Sequence, residues 1–402
     1  MEDSKKHLAA VIETVQILEQ RLHSMPHHAE NEAEASDVRA LSLACGTLQF
    51  QVQLLGLSVM APEAAVPSFF ETQFTTMIAI KIAMDSNLIT LLENAGTDGI
   101  TLDEAQRVLE STFPGYGSNV LPRLGDIGII SLGKGGRISR TTLSSSMMKE
   151  KPAFSRLRIF HEHVIPVWSS PMPTFSVASR SPFQAYHDTD LDFFEYLKKS
   201  RTEDVVHFSR AMESFSSGHA ISEGSILANF PWKDFTTVLD LGGSNGDFAK
   251  TIMKIPSASK CRFIIQDREE AIPTTRYSER MTFEPRNFFE ADWSNPDALV
   301  IVRHVLHDWE DAKARMILKA IAEPMKPTEI FLIVEAVLDS LPTDSRIEAE
   351  NTCLVTYTLL RGRERTKAEW EDLIRSANAN LTISSIDHIE GTTDCLIVVR
   401  KT

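Results

Sequence analysis

The sequence predicts a doubly wound, mostly parallel α/β sheet in its C-terminal half, preceded by a mostly α-helical region. Three observations carry this. After residue 236 come TVLDL (237–241), RFIIQ (262–266), ALVIVR (298–303), EIFLIV (329–334) and DCLIVV (394–399), all short, apolar and β-branched. Helical stretches separate the earlier ones, and that alternation marks a parallel sheet covered on both faces. MTFEP (281–285) and LTISSI (381–386) bring the expected strands to seven. Before residue 150, by contrast, apolar residues recur mainly at helical spacing. Finally, VLDLGGSNGDFAK (238–250) reads as buried strand, tight glycine loop, then helix.

Composition sets the bounds. The chain has 402 residues, 43% hydrophobic and 24% charged, which are ordinary globular values. A chain of this length buries roughly three quarters of its unfolded surface and needs no disulfide staples. Its four cysteines, Cys45, Cys261, Cys353 and Cys395, are far apart and form no CxxC pair. A reducing, cytoplasmic setting is therefore expected, without structural zinc. The opening segment lacks the apolar stretch of a signal peptide. No apolar run reaches the roughly 18 residues of a membrane span. The net charge of -14 argues against nucleic acid as a partner, because phosphate affinity comes from clustered Lys and Arg.

Four segments are expected: a helical extension (1–66), a winged-helix region (67–150), a pocket or linker region (151–230) and the α/β domain (231–402). Leu8, Val11, Ile12, Val15, Leu18 and Leu22 give residues 5–22 a helical stripe. The polar stretch 24–37 carries Pro26, His27 and His28 and reads as a solvated loop rather than a metal site. Residues 38–60 are apolar enough for a helix, which Pro62 and Pro67 are expected to end. Residues 69–94 read as one helix with Ile78, Ile82, Leu88, Leu91 and Leu92 inward. Thr101 and Glu104 have capping-box spacing, so another helix starts there. A further helix follows near 119–127. GIISLGKGGRIS (128–139) then reads as two short strands around a glycine-rich turn. Helix, helix and hairpin is a winged-helix pattern. Its second helix, SNVLPRLGDIG, carries one Arg and one Asp, a poor set for reading DNA, so a dimerisation role fits better. The segment 151–230 is rich in phenylalanine, including Phe154, Phe183, Phe193 and Phe194. Most of these rings belong to the core, and some suit a pocket for a flat apolar ligand.

The loop Gly242, Gly243, Ser244, Asn245, Gly246 matches neither the dinucleotide fingerprint nor a phosphate-binding P-loop. Asp247 opens the following helix where a phosphate would otherwise sit, and like charges repel there. Asp267, at the end of the second strand, can accept both hydroxyls of a ribose; the alternative is a helix cap. A nucleoside without pyrophosphate points to S-adenosylmethionine as cofactor.

On VLDLGGSNG, FIIQD, RNFFE, VRHVLHDW and GRERTKAEW, the chain from about residue 70 onward resembles the fungal and plant small-molecule O-methyltransferases. These join a Rossmann-like class I methyltransferase domain to an N-terminal winged-helix dimerisation domain. The resemblance implies His307 as general base, with Glu335 and Glu364 as its orienting and electrostatic partners. It implies a cofactor site with Arg303 near the cofactor and Asn287 and Phe288 near the adenine. Trp293 stacks there or belongs to the core. Three departures stand out: Ser244 replaces a frequent glycine, Asn287 a usual acid, and Cys353 a frequent Asp. The chemistry agrees with a histidine base, since a phenol with pKa near 10 must lose its proton to attack and histidine titrates near neutrality. His304 and His307 alone make a weak metal pair, and no metal is expected.

The leading expectation is methyl transfer to a hydroxyl of an aromatic or polyketide-type metabolite by a homodimer. Apolar helices before residue 95, in excess of what a winged helix needs, suggest the second copy. Some fungal proteins of this fold instead hold S-adenosylmethionine as a fixed positive charge for dehydration or pericyclic chemistry. His161 and His163 could serve such a site. A non-catalytic regulatory role is disfavoured by the charge and by the intact catalytic set.

Overall fold

A computed structural model describes residues 2–24, 45, 48–49, 51–115, 119–133, 135–170, 180–216, 226–273, 277–289 and 298–402. The expected polar loop with His27 and His28, the first part of the helix expected at 38–60, and Trp293 lie outside the described residues. The chain divides into two compact units. One comprises Met1–Ala10, Gln51–Ile165 and Glu203–Ser214; the other comprises Val11–Phe50, Pro166–Thr202 and Phe215–Thr402.

In the first unit, the helical stretch over 51–59 stops before Pro62, as expected, and Pro62 itself begins a new helix, Pro62–Asp85. Proline is tolerated at the first helical position because the N–H it lacks has no helical acceptor there. Pro67 lies inside this helix, which continues to a C-terminal half buried through Ala79, Ile82 and Ala83. The single helix expected over 69–94 is broken after Asp85. Ser86 is extended, and its Oγ accepts the Leu88 N–H at 3.3 Å, so a new helix, Leu88–Ala95, starts at once. The capping box forms as read: Glu104 N–H donates to Thr101 Oγ1, and Thr101 N–H donates to Glu104 Oε2 at 2.7 Å. Helices Leu102–Thr112 and Val120–Asp126 follow. Strands β1 (Ile100–Thr101), β2 (Ile130–Leu132) and β3 (Arg137–Arg140) form a small antiparallel sheet in the order β1-β3-β2. Ile100, Leu109, Leu124 and Ile130 share its core with the helices.

The second unit is built on seven strands: β4 (Thr237–Leu241), β5 (Arg262–Asp267), β6 (Met281–Pro285), β7 (Leu299–Arg303), β8 (Ile330–Glu335), β9 (Leu381–His388) and β10 (Cys395–Lys401). Their order is β6-β5-β4-β7-β8-β10-β9. All neighbours are parallel except β10, which is antiparallel to both β8 and β9. All seven expected strands are present. Alternate residues of each strand face opposite cores. Leu239, Leu241, Val300, Val302 and Ile333 pack with helices Asp311–Ala322 and Lys367–Ala377. Val238, Leu299, Ile301, Leu332 and Val334 pack on the other side with helix Asp247–Ile252. Burial on both faces explains why these strands read as unbroken apolar runs. Each fully buried aliphatic side chain contributes about 1.5–3 kcal/mol, so the sheet is the rigid part of the unit.

The strand order reverses at β4, which pairs with β5 on one side and β7 on the other. At such a switch point the loops leaving the carboxyl ends diverge and open a crevice. The glycine loop follows β4, and the segment carrying His307 follows β7. Among the described residues no single helix is long and apolar enough to cross a membrane; the bent pair Glu63–Asp85 and Leu88–Asp98 passes by length and composition only.

Candidate functional site

Directly after β4, Gly242 turns the chain at φ +74°, and its N–H donates to Gln266 O at 2.7 Å. A Cβ at Gly242 would lie 2.4 Å from Val305 Cγ2. The glycine loop therefore rests directly on the His307 segment, which a larger residue would push away. Ser244 adopts φ +50°. A non-glycine residue loses roughly 1–2 kcal/mol in that region, so this departure from glycine is not conformationally neutral. Its N–H donates to Asp267 Oδ2 at 2.9 Å, a charge-assisted bond that offsets the strain. Asp267 Oδ1 accepts the Arg268 N–H at 2.7 Å. Asp267 is thus tied to the glycine loop and is not a helix cap, since the short turn Glu269–Ala271 begins after Arg268 with no side-chain cap. Two ionised oxygens offer about four acceptor sites, so Asp267 retains capacity for ligand hydroxyls. Gly246 leads into helix Asp247–Ile252, and Asp247 pairs with Lys250 at 2.8 Å.

Beneath the loop lies an acid that the sequence reading missed. Asp240 is buried in β4, and its Oδ2 has no hydrogen-bond partner. A Cβ at Gly243 would come within 2.7 Å of that oxygen, so Oδ2 faces the loop. Burial pushes the Asp240 carboxyl up to about 7; Arg303 opposes the shift and Asp267 reinforces it. One charged residue inside the otherwise apolar TVLDL was the signal available in the sequence. A glycine loop open to backbone approach, the Asp267 carboxylate and this orphaned acid fit a cationic nucleoside such as S-adenosylmethionine. Nothing in the loop is built to cradle phosphate.

The segment after β7 is held from several directions. Arg303 Nε lies 3.4 Å from Asp394 Oδ2, and its guanidinium sits over the Phe248 ring. His304 is in the left-handed region at φ +50°, with Nε2 2.7 Å from Asp394 Oδ1. That places His304 on a buried acid rather than in a metal pair with His307, on whose ring it stacks at 5.4 Å. Glu335, fully buried at the end of β8, accepts the N–H groups of Val305 and Leu306 at 2.9 and 2.8 Å. Its other oxygen lies 3.6 Å from His307 Nδ1 and has no hydrogen-bond partner. Glu364 Oε1 lies 2.6 Å from the same nitrogen. Gly362 passes so close that a Cβ there would overlap the His307 carbonyl oxygen, which accepts the Arg363 N–H at 2.7 Å.

The fold therefore brings His307, Glu335 and Glu364 together, with ligand-capable atoms of all three within 4.8 Å. The same spacing would suit a divalent metal, although Glu335 already has one oxygen committed to two backbone donors. Phe288 lies against Phe289 and Trp309, at the edge of the core near this segment, and Asn287 is exposed with its Oδ1 accepting the Phe289 N–H. Cys353 Sγ accepts the Glu364 N–H at 3.4 Å, so it touches the site through the backbone. In the first unit, His163 is buried on Asp204 at 3.1 Å, which makes it a core histidine.

Charge crowding sets the protonation states. Burial alone would lower the His307 pKa, but the carboxylates of Glu335, Glu364 and Asp308, with the bond to Glu364, hold it well above 6.5. Burial raises Glu335, with His307 opposing and Glu364 adding to the rise. Burial also pushes Asp308 up to about 6, opposed by His307. Its Oδ1 lies 3.5 Å from His307 Nε2. Asp308 and Asp240 are two further acids that belong to this neighbourhood.

The Asp240 shift gives a stability test. An Asp carboxyl ordinarily titrates near 3.8, and burial pushes this one up to about 7 in the folded chain. Folding thus favours the protonated acid, and that stability is present below about pH 4 and lost as pH rises through 7. Asp240→Asn, which cannot ionise, should match the wild type near pH 3–4 and melt higher at pH 8, by the equivalent of about 2–4 kcal/mol. Thermal melts at both pH values check this, and an offset independent of pH would show that Asp240 is not a raised acid.

Comparison with known proteins agrees with this geometry. Residues 177–379 match the family described as the O-methyltransferase domain. Demethylsterigmatocystin 6-O-methyltransferase of Aspergillus flavus is 29% identical over 223 residues, covering 55% of this chain and 57% of that protein. The chain spans about half the length of the curated relatives it matches. Among solved structures, human N-acetylserotonin methyltransferase in complex with SAM is similar at TM-score 0.67 and 20% identity, over 86% of this chain and 99% of that one. A protein described as a pericyclic reaction enzyme is similar at TM-score 0.71 and 16% identity, over 98% of this chain and 100% of that one. At such identities the structural likeness concerns the fold alone. The family match extends over half of the chain and includes the glycine loop and the segment of His307, Glu335 and Glu364: the chain belongs to the O-methyltransferase domain family.

Proposed function

We propose that this chain is an S-adenosylmethionine-dependent O-methyltransferase that methylates a phenolic or enolic hydroxyl of an aromatic or polyketide-type secondary metabolite. The observation that carries this reading is the 2.6 Å contact between His307 Nδ1 and Glu364 Oε1. A carboxylate at Nδ1 favours the tautomer with its proton there and leaves the Nε2 lone pair for a substrate hydroxyl. In this reading the backbone of Gly242, Gly243, Ser244 and Gly246 lines the cofactor, and Asp267 accepts its ribose hydroxyls. Asn287 and Phe288 border the adenine. Arg303, occupied by Asp394 and Phe248, shapes the site from behind rather than binding directly. When bound, S-adenosylmethionine supplies an electrophilic methyl group on a sulfonium.

The chain's own work is to take a proton and hold geometry. A phenol gives up its proton near pH 10, and the elevated His307 pKa narrows that gap. The elevation also protonates more of the histidine at neutral pH. The rate should therefore rise with pH through a midpoint above 6.5, and Glu364→Gln should move the midpoint down. His307→Ala should lower kcat by roughly 10²–10⁴-fold with cofactor binding nearly intact. Steady-state assays with calorimetry check both, and unchanged turnover removes His307 from the mechanism. Asp267→Ala should weaken cofactor affinity by about 1.5–3 kcal/mol, the scale for hydrogen bonds to a charged group. Wild-type affinity in that variant contradicts the ribose role.

A second reading shares the cofactor. The fold is shared with a protein described as a pericyclic reaction enzyme, and the second reading is rearrangement or dehydration of a substrate beside an unconsumed sulfonium. Product mass separates these: methyl transfer adds one CH2, a rearrangement leaves the mass unchanged and a dehydration removes one water. The core position of His163 leaves only His161 of the two histidines considered for that chemistry.

The helices before residue 95 support a homodimer. Val66, Phe70, Phe74 and Ile78 form an exposed stripe at four-residue spacing along helix Pro62–Asp85, and exposed apolar stripes of this length usually meet a partner. Residues 67–150 serve as the dimerisation region in this reading. Sedimentation at micromolar concentration should give a dimer, and a monomer would contradict the proposal.

A further inference from the structure

We propose that Arg365 is a positioning residue for His307, holding the backbone of the 304–309 segment while Glu335 holds it from the opposite side. The proposal rests on the reading of His307 as a base and adds a residue to its support. Arg365 is fully buried, which is rare for arginine. Its Nη1 donates to Leu306 O at 3.0 Å and its Nη2 donates to Trp309 O at 2.9 Å. Nε and Nη2 also reach Asp311 Oδ1, at 3.1 and 2.8 Å. The guanidinium lies over the Trp370 ring.

Leu306 shows what this does. Its N–H is bonded to Glu335 and its C=O to Arg365. The two successive peptides that lead into His307 are therefore each held, the first by Glu335 and the second by Arg365, and the His307 carbonyl is fixed by the Arg363 N–H. The ring is fixed by Glu364. Residues 362–365 thus supply the close glycine, the N–H, the orienting carboxylate and the guanidinium as one short template. Arginine suits the last role because its planar fork carries five donors and can serve two carbonyls and a carboxylate together. A lysine ammonium keeps the charge but cannot span them. Asp311 neutralises the guanidinium at the edge of the protein, and the charges that raise the His307 pKa are Glu335, Glu364 and Asp308. Arg365 therefore acts through geometry.

Misplacing a catalytic group by about 1 Å can slow a reaction about 10²-fold. Arg365→Lys should lower kcat by about 10–100-fold, with KM and S-adenosylmethionine affinity within about twofold of wild type. Asp311→Asn, which leaves the carbonyl bonds in place, should stay within about threefold of the wild-type kcat. A role in charge balance alone predicts the reverse, a normal Arg365→Lys and an impaired Asp311→Asn. A role in general folding predicts that cofactor affinity and Tm fall in step with kcat. Either result overturns the proposal. Two readouts do not depend on turnover. In the wild type, NMR should resolve slowly exchanging Arg365 Nε–H and Nη–H protons, and freely rotating, rapidly exchanging groups would refute the clamp even if Arg365→Lys does not fold. The His307 Nδ1–H signal, expected far downfield from its short bond to Glu364, should broaden or shift in Arg365→Lys and not in Asp311→Asn. His307→Ala run in the same assay separates the two levels: retained turnover there ends the base reading, while the NMR results still decide the clamp.

Discussion

The carboxylate of Glu335 is the fixed point of the second unit's candidate site. It ends the interior strand β8, has no exposure, and spends one oxygen on the N–H groups of Val305 and Leu306. Those two bonds stop β7 from running on and turn the chain toward His307. The other oxygen faces the imidazole. A buried carboxylate is tolerated only when neutralised or hydrogen-bonded, and here the turn and the histidine do both. Packing makes the position unforgiving, because the turn lies on Gly242 on one side and on Gly362 on the other. Neither contact admits a side chain, so the glycine loop, the His307 segment and the 362–365 segment are packed directly against one another.

The same crowding stores electrostatic strain. Asp240, Asp267, Asp308, Glu335 and Glu364 gather near the carboxyl ends of β4, β5, β7 and β8, with His307 among them. Arg303 is the cation that eases Asp240. The raised carboxyls of Asp240, Asp308 and Glu335 record the repulsion and desolvation that folding imposes. Perturbed groups of this kind cluster at functional sites because the strain is retained for use there. A positive charge placed among these acids relieves the repulsion, and a phosphate adds to it. The acidic character of the whole chain thus reappears locally at the carboxyl ends of the strands.

Local patterning made most elements legible. Thr101 and Glu104 announced their helix because a capping box is a contact within four residues. The seven strands were legible because burial on both faces of a sheet demands continuous apolar runs. Pro67 and Ser86 were misjudged: the helix that opens at Pro62 runs on through Pro67, and a serine break inside an apolar run leaves no periodic signature. At the site, the family resemblance carried His307, Glu335 and Glu364, and the order of glycine loop and acid carried Asp267, but neither carried Asp240, Asp308, Asp394 or Arg365. Asp240, Asp394 and Arg365 owe their roles to partners distant in sequence.

What the sequence determined by itself was the order of elements, the glycine loop at the end of the first strand and the chemical types gathered after β7. These follow from short-range physics: periodicity, caps, and the need for glycine where two backbones touch. Only the tertiary structure decided which acid meets which base. His304 and His307 are three residues apart and look alike in sequence. One is held by Asp394 from the last hairpin, and burial lowers its pKa. The other is surrounded by Glu335, Glu364 and Asp308, and its pKa is raised. Opposite pKa shifts in neighbouring histidines follow from desolvation and Coulomb interaction over a few ångströms, and those distances are fixed only when β7, β8 and the 362–365 segment pack together.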